Sequence, residues 1–272
     1  MARRWGARCA GAAVAVITLV AGCSSGGADR PDGGGAAAPS AGAGGDSGAS
    51  APLPGSRSPQ PSGSAEPPAP ESLPGTFEEA LALARAVAAE PDVLGADFVR
   101  RSPYESAPRT VPVLDRSCRW QREALPHEVL AGLSRSSEVP GEVSGGGPLR
   151  VTAHVTVYRT TAHADAAMAR FLEDALRCPD QRPRRGERVT SLVSLGEKPV
   201  FHDAEDSVFE VGQYTGAEHG GPHPYLWAAN RVGSVVFAVS VKGADGYDAK
   251  TVSATGSGAL GSMLTDVRRE LR

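Results

Sequence analysis

The stretch Leu149 to Cys178, LRVTAHVTVYRTTAHADAAMARFLEDALRC, changes its hydrophobic period partway along, and no other feature constrains the fold as much. Val151, Ala153, Val155 and Val157 alternate with Thr152, His154, Thr156 and Tyr158, the period of a strand with one apolar and one mostly polar face. From Ala164 the apolar residues recur as Ala167, Met168, Phe171, Leu172, Ala175 and Leu176, three and four apart, which predicts an amphipathic helix. Thr160 or Thr161 supplies its N-cap, and Pro179 stops it because the residue before a proline is pushed out of the helical region. Glu173 and Arg177 lie four apart on the opposite face in the favourable order. This strand-to-helix unit is scaffold and carries no chemistry of its own.

Around it the same tests place other elements. Thr76-Phe77-Glu78-Glu79 is a capping box, and Phe77, Ala80, Leu81, Ala84, Val87 and Ala88 continue it as a helical stripe that ends before Pro91. Arg109 to Trp120 reads as one strand or two, and Pro126 to Pro148 as irregular, ending in three glycines. Glu187 to Leu195 predicts a short strand, and Ser207 to Thr215 alternates again, with Phe209 and Val211 opposed to Val208 and Tyr214. Tyr225 to Asn230 and Ser234 to Val241 form a hairpin around Asn230-Arg231-Val232-Gly233. Leu260, Met263, Leu264, Val267 and Leu271 close the chain as a helix whose start is obscured by Gly256, Gly258 and Gly261. Hairpin-rich strands interrupted by a few helices predict an α+β domain over residues 76–272, a mostly antiparallel sheet with helices packed on its faces.

The first quarter of the chain is of another kind. Arg3, Arg4 and Arg8 precede an apolar run from Cys9 to Ala21, the charged and hydrophobic regions of an export signal over residues 1–22. A run of about a dozen residues is too short to span a hydrocarbon core that needs roughly 20. Leu19-Val20-Ala21-Gly22-Cys23 resembles the lipobox of bacterial lipoproteins, and the resemblance implies a diacylglycerol on the Cys23 thiol and cleavage just before it. Two acyl chains suffice for stable anchoring. The alternative is an ordinary secretory cleavage site with an incidental cysteine. Residues 23–75 are dominated by Gly, Ala, Pro and Ser and lack the side chains that offset ordering entropy, so we expect a disordered tether. About fifty such residues reach roughly 40 Å.

Compartment then decides the cysteines. Cys9 leaves with the signal and Cys23 is lipidated, which leaves Cys118 and Cys178 on the oxidising side of the membrane. We expect them to be bonded to each other; two free thiols or metal ligands are the other reading.

Chemistry is sparse. The formal charge is −3 from 28 basic and 31 acidic residues, without the basic domain that marks nucleic-acid binding. His219-Gly220-Gly221-Pro222-His223, with His202, Asp203 and Asp206 nearby in sequence, raises the question of a metal, but Gly-Gly-Pro forbids the helix that would align two imidazoles. A solvated loop is expected there, and no metal or cofactor. No G-x-S-x-G occurs, and Gly256-Ser257-Gly258 lacks a preceding strand. Glu205-Asp206 and Glu173-Asp174 read as solvated faces, since adjacent side chains diverge. Catalysis is therefore not expected. Arg182, Arg184, Arg185 and Arg188 form one basic cluster, a contact for anionic headgroups or a wall polymer, or else a solvated loop. Trp120, Trp227, Tyr158 and Tyr225 read as core in preference to the lining of a cleft.

Cys118-Arg119-Trp120, Val155-Thr156-Val157-Tyr158, Ala164 to Cys178 and Arg231-Val232-Gly233-Ser234, behind a lipidated Pro/Ala/Gly tether, resemble the actinobacterial extracytoplasmic sensor-type domains. These occur as lipoproteins and as outer domains of receptor serine/threonine kinases. The resemblance implies an α+β sandwich with a cleft for a small ligand. This chain departs in having one disulfide where kinase-linked members often have two, and in lacking a kinase. The expectation is a lipoprotein on the outer face of the cell membrane whose domain binds a small ligand or an envelope partner. An envelope hydrolase and a docking subunit are the competing readings.

Overall fold

The computed structural model describes residues 73–195, 204–217 and 220–272, all within the unit Pro59–Arg272. The segment 1–22, Cys23, the tether as far as residue 72, and His202, Asp203 and His219 lie outside the described residues. In chain order the elements are α1 (Phe77–Val87), α2 (Pro91–Leu94), β1 (Val99–Glu105), β2 (Thr110–Leu114), β3 (Trp120–Ala124), β4 (Val129–Val139) and α3 (Gly141–Ser144). There follow β5 (Leu149–Tyr158), α4 (Thr161–Arg177), β6 (Glu187–Ser194), β7 (Asp206–Gly216), β8 (Gly220–Val232), β9 (Val235–Lys242) and α5 (Ala249–Glu270).

Seven strands make one antiparallel sheet in the order β1-β4-β5-β9-β8-β7-β6, and β2 and β3 pair separately as a hairpin. The α+β class and the antiparallel sheet stand as expected. Register sets the layers. Val151, Ala153, Val155 and Val157 of β5 lie opposite Val241, Val239, Phe237 and Val235 of β9, so two apolar rows coincide on one face. Leu260, Met263, Leu264 and Val267 of α5 and Ala80, Ala84 and Val87 of α1 bury that face. Each such Val, Leu, Met or Phe, taken fully out of water, stabilises by roughly 1.5–3 kcal/mol.

The helix caps explain their boundaries. Thr76 Oγ1 accepts from the Glu79 amide at 3.2 Å while a Glu79 carboxylate oxygen accepts from the Thr76 amide at 3.0 Å, completing the capping box. Thr160 is the cap of α4, accepting from the His163 amide at 3.2 Å. Asp248 starts α5 well before the glycines by accepting from the Thr251 amide at 2.7 Å. Gly256 has a packing reason: a Cβ on it would come within 2.0 Å of Leu226 Cδ2, so the helix lies flat on β8 only without one, whereas a Cβ on Gly258 would meet open space.

Two elements depart from expectation. Pro126 to Pro148, read as irregular, contains the long strand β4, and Val99–Glu105 forms the edge strand β1. Both carry runs of polar residues, which in β4 are buried and paired and in β1 lie along the exposed edge. Arg135 of β4 is 7% exposed; it bridges Glu90 and Glu105 at 3.0 Å each and donates to the Ala88 carbonyl at 2.6 Å. Pro103 is tolerated in β1 because an edge strand has a free side. A third departure is small. Arg177 bonds Asp174 at 2.6 Å, one turn back by three residues, in place of the expected Glu173.

Candidate ligand-binding cleft

The second face of the sheet is covered from two sides. Helix α4 packs Ala164, Ala167 and Met168 over β5, β8 and β9, and the β2–β3 hairpin leans over β4. The hairpin approaches closely because Gly132 has no side chain; a Cβ there would stand 2.7 Å from Val111 Cγ1. Between the two covers the sheet stays open, leaving a cavity of about 760 Å³. Its floor is the polar row of β5, Thr152, His154, Thr156 and Tyr158, continued by Ser134 and Ser136 of β4 and Ser240 of β9.

The expected disulfide joins the two covers. Cys118, in the turn between β2 and β3, is bonded to Cys178, the C-cap of α4, with Cα atoms 5.5 Å apart. Hydrogen bonds reinforce the closure. Arg177 donates to the Asp115 carbonyl at 2.9 Å, the Trp120 indole donates to Gln181 Oε1 at 2.7 Å, and the Trp120 amide donates to the Arg182 carbonyl at 3.1 Å.

The four aromatics read as core all line the cavity; the core reading holds for Tyr158 and Tyr225, with Trp227 packed against their clusters, while Trp120 belongs to no cluster. Tyr158 and Tyr225 are buried at its base. Phe171 of α4 meets Trp227 edge-on, ring centroids 4.7 Å apart, and Trp120 stands on the hairpin side. They serve packing and lining at once because the layer above this face is incomplete.

A polar cluster sits where the hairpin meets the floor. The guanidinium of Arg122 donates to Thr110 Oγ1 at 2.8 Å, the Thr110 carbonyl at 2.6 Å, Ser106 Oγ at 3.0 Å and Ser134 Oγ at 3.1 Å. Ser134 Oγ lies 2.8 Å from His154 Nδ1, and Thr156 Oγ1 lies 2.9 Å from His154 Nε2. Burial, with the Arg122 charge adding to it, pushes the His154 pKa down to about 3. His154 is therefore neutral at any physiological pH. The Ser134–His154 contact is a poor nucleophile pair, because among the described residues hydroxyls and no carboxylate orient the ring, and a proton passed to it would be held against burial and a guanidinium.

Glu210 of β7 lies beside Trp227 in register, under α4, and is 4% exposed. Its Oε1 is buried without a hydrogen-bond partner. Burial, aided by the nearby Asp174 carboxylate, raises its pKa to about 8. It is a protonated acid at neutral pH. Sequence gave no hint of it, since Phe209-Glu210-Val211 is an ordinary alternating strand. Arg122 had a faint signal: Trp120 and Arg122 are two apart on one strand and so share a face.

Of the basic cluster, Arg184 lines the cavity, while Arg182, Arg184, Arg185 and Arg188 are all solvent-exposed on and after the loop between α4 and β6. His223, expected in a solvated loop, lies in β8, is buried, and has Nδ1 3.8 Å from Asp245 Oδ1. Among the described residues no three His, Cys, Asp or Glu side chains converge as metal ligands. Glu205 is exposed, as expected, and also accepts from the Arg231 guanidinium and from the Gly233 amide, pinning the β8–β9 turn. Among those residues no helix is long and apolar enough to cross a membrane.

No protein-family model and no curated protein matches the chain. Among solved structures it is similar to the extracellular domain of PknH from Mycobacterium tuberculosis, at 14% identity and a TM-score of 0.47, over 73% of this chain and 99% of that one.

Proposed function

We propose that this protein is a ligand-binding module of the cell envelope, held at the outer face of the membrane by a lipid on Cys23 and a tether over residues 24–75. The observation that carries the reading is the cleft of about 760 Å³, roofless between two covers that a disulfide ties together. Its size falls within the roughly 300–1,000 Å³ of small-molecule sites, and aromatic walls with a few convergent polar groups are their usual lining. Arg182, Arg184, Arg185 and Arg188, exposed near one end, would add attraction to anionic headgroups or wall polymer. The neutral His154 without a carboxylate partner supports binding over hydrolysis.

The test is a fluorescence titration of the chain, purified from membranes in detergent, with small-molecule fractions of envelope extract, lipids and wall fragments. A saturable change in tryptophan emission that Trp227→Ala removes is expected. Failure of every fraction to bind would overturn the ligand reading. Anchoring is checked separately: Cys23→Ala should move the protein out of the membrane fraction, and a variant that still sediments with membranes refutes the lipid.

A further inference from the structure

We infer that the ligand of the cleft carries an anionic oxygen group, a carboxylate or a phosphate, that seats against Arg122. The inference rests on the ligand-binding reading and narrows its chemistry. Among the cations lining the cavity, Lys242 is neutralised by Glu187 at 2.5 Å and Arg170 by Glu128 at 4.0 Å. Arg184 stands exposed on its loop. Arg122, also exposed, differs in its partners. Its guanidinium is held by four hydrogen bonds, and every acceptor is neutral: two serine hydroxyls, one threonine hydroxyl and one carbonyl. Among the described residues it meets no carboxylate.

Such an arrangement fixes the position of a charge without cancelling it. A guanidinium has five N–H donors, so four bonds leave one free to point elsewhere. Ser106 Oγ accepts from Arg122 and from the Ser134 amide and so keeps its own proton to donate, and it lines the cavity with Ser134; the Thr110 hydroxyl proton goes to the Ala107 carbonyl and Ser134 Oγ is shared with His154. Neutral imidazole beneath them adds a ring with one N–H and no competing negative charge. One fixed cation with no carboxylate on it, beside a free Ser106 hydroxyl, makes a preorganised receptor for an oxyanion, because the carboxylates that line the cavity, Glu105, Glu128 and Asp174, are each held by another arginine. A neutral ligand would leave the charge uncompensated as it displaced water from the cleft, and a cationic one would meet repulsion. The aromatic lining sets the rest of the ligand as apolar or planar.

Three probes of similar size decide it: phenyl phosphate, benzoate and benzyl alcohol, titrated into the oxidised chain in detergent by calorimetry at low salt. One or both anions are expected to bind at least ten-fold tighter than the alcohol, with the preference falling as salt rises; which anion binds tighter separates phosphate from carboxylate. Arg122→Gln should reduce anion affinity at least ten-fold and leave benzyl alcohol unchanged. Because Arg122 also joins the hairpin to β4, the wild-type protein supplies an independent readout: its Nε–H resonance should shift with the anions and stay still with the alcohol. Equal binding of all three probes, or an unmoved Nε–H resonance under saturating anion, overturns the anion inference and leaves the ligand cleft standing. No binding by any probe counts against both.

Discussion

Ionisation of the buried Glu210 carboxyl costs the fold stability, and replacing it by Gln should expose that dependence. In the unfolded chain its carboxyl titrates at the ordinary value of 4.5; in the fold burial first, and the Asp174 charge second, raise it to about 8. The sign follows from proton counting. Between those two values the folded chain binds the proton that the unfolded chain has released, so stability falls as pH rises, by up to about 1.4 kcal/mol per unit. From pH 4.5 to pH 7 the accumulated loss is about 3 kcal/mol, and it levels off above pH 8. Glutamine has nearly the same shape and no charge. Glu210→Gln should therefore match the native protein near pH 4 and become more stable by about 3 kcal/mol at pH 7, a large share of a typical 5–15 kcal/mol. The charged and titratable groups facing this carboxyl are Asp174 on α4 and Tyr225 on β8. Urea unfolding of the oxidised protein at half-unit steps from pH 4 to pH 8.5 gives the curve directly. If the two proteins run parallel across the range, or if the variant is the weaker at pH 7, Glu210 is ionised in the fold and the reasoning fails. Asp174→Asn supplies a check on cause: it should flatten the native curve in part, because only the smaller contribution is removed.

Two other perturbations test the scaffold of the cleft. Opening the Cys118–Cys178 bond, which spans 60 residues of sequence, should lower stability by about 4 kcal/mol in the chain-entropy account and weaken any cleft ligand as the hairpin and α4 part. Reduced and oxidised protein giving the same urea midpoint would remove the bond from the argument. Gly256→Ala gains up to about 1 kcal/mol of helix propensity but sets a Cβ 2.0 Å from Leu226 Cδ2 in a fully buried spot, where overpacking costs about 1–3 kcal/mol. We expect a net loss, recovered in part by adding Leu226→Ala; a Gly256→Ala protein more stable than the parent would show that α5 does not lie as close to β8 as described.

What the sequence reveals and what it hides divide along one physical line. Where a side of the sheet is sealed by a helix, the residues beneath are apolar and the period is plain. Val151 to Val157, Val235 to Val241 and the stripe of α5 all read correctly on that basis. The disulfide was legible by elimination from the expected compartment. On the other side the polar row Thr152, His154 and Thr156 was visible as polar, but polar residues facing water and polar residues facing a cleft give the same pattern. The same ambiguity hid β4. Its Ser134-Arg135-Ser136-Ser137 run reads as a loop when only apolar alternation is counted, yet all four are buried, two lining the cavity and Arg135 bridging two glutamates.

The misread strand and the candidate site are therefore one phenomenon. A central strand with serines on one face needs partners for their hydroxyls, and in this fold the partners are Arg122, His154 and the open space above them. Filling that space with larger apolar side chains would have closed the layer as α1 and α5 close the other. The aromatics show the compromise: Tyr158 and Trp227 pack with the residues of α4, and Tyr225 with Val189, Leu192 and Tyr214 of β6 and β7, while all three line the cavity. Buried hydroxyls carry a desolvation cost that an apolar core avoids, and the proposed ligand would offset part of it by meeting the hydroxyls concentrated on this side of the sheet.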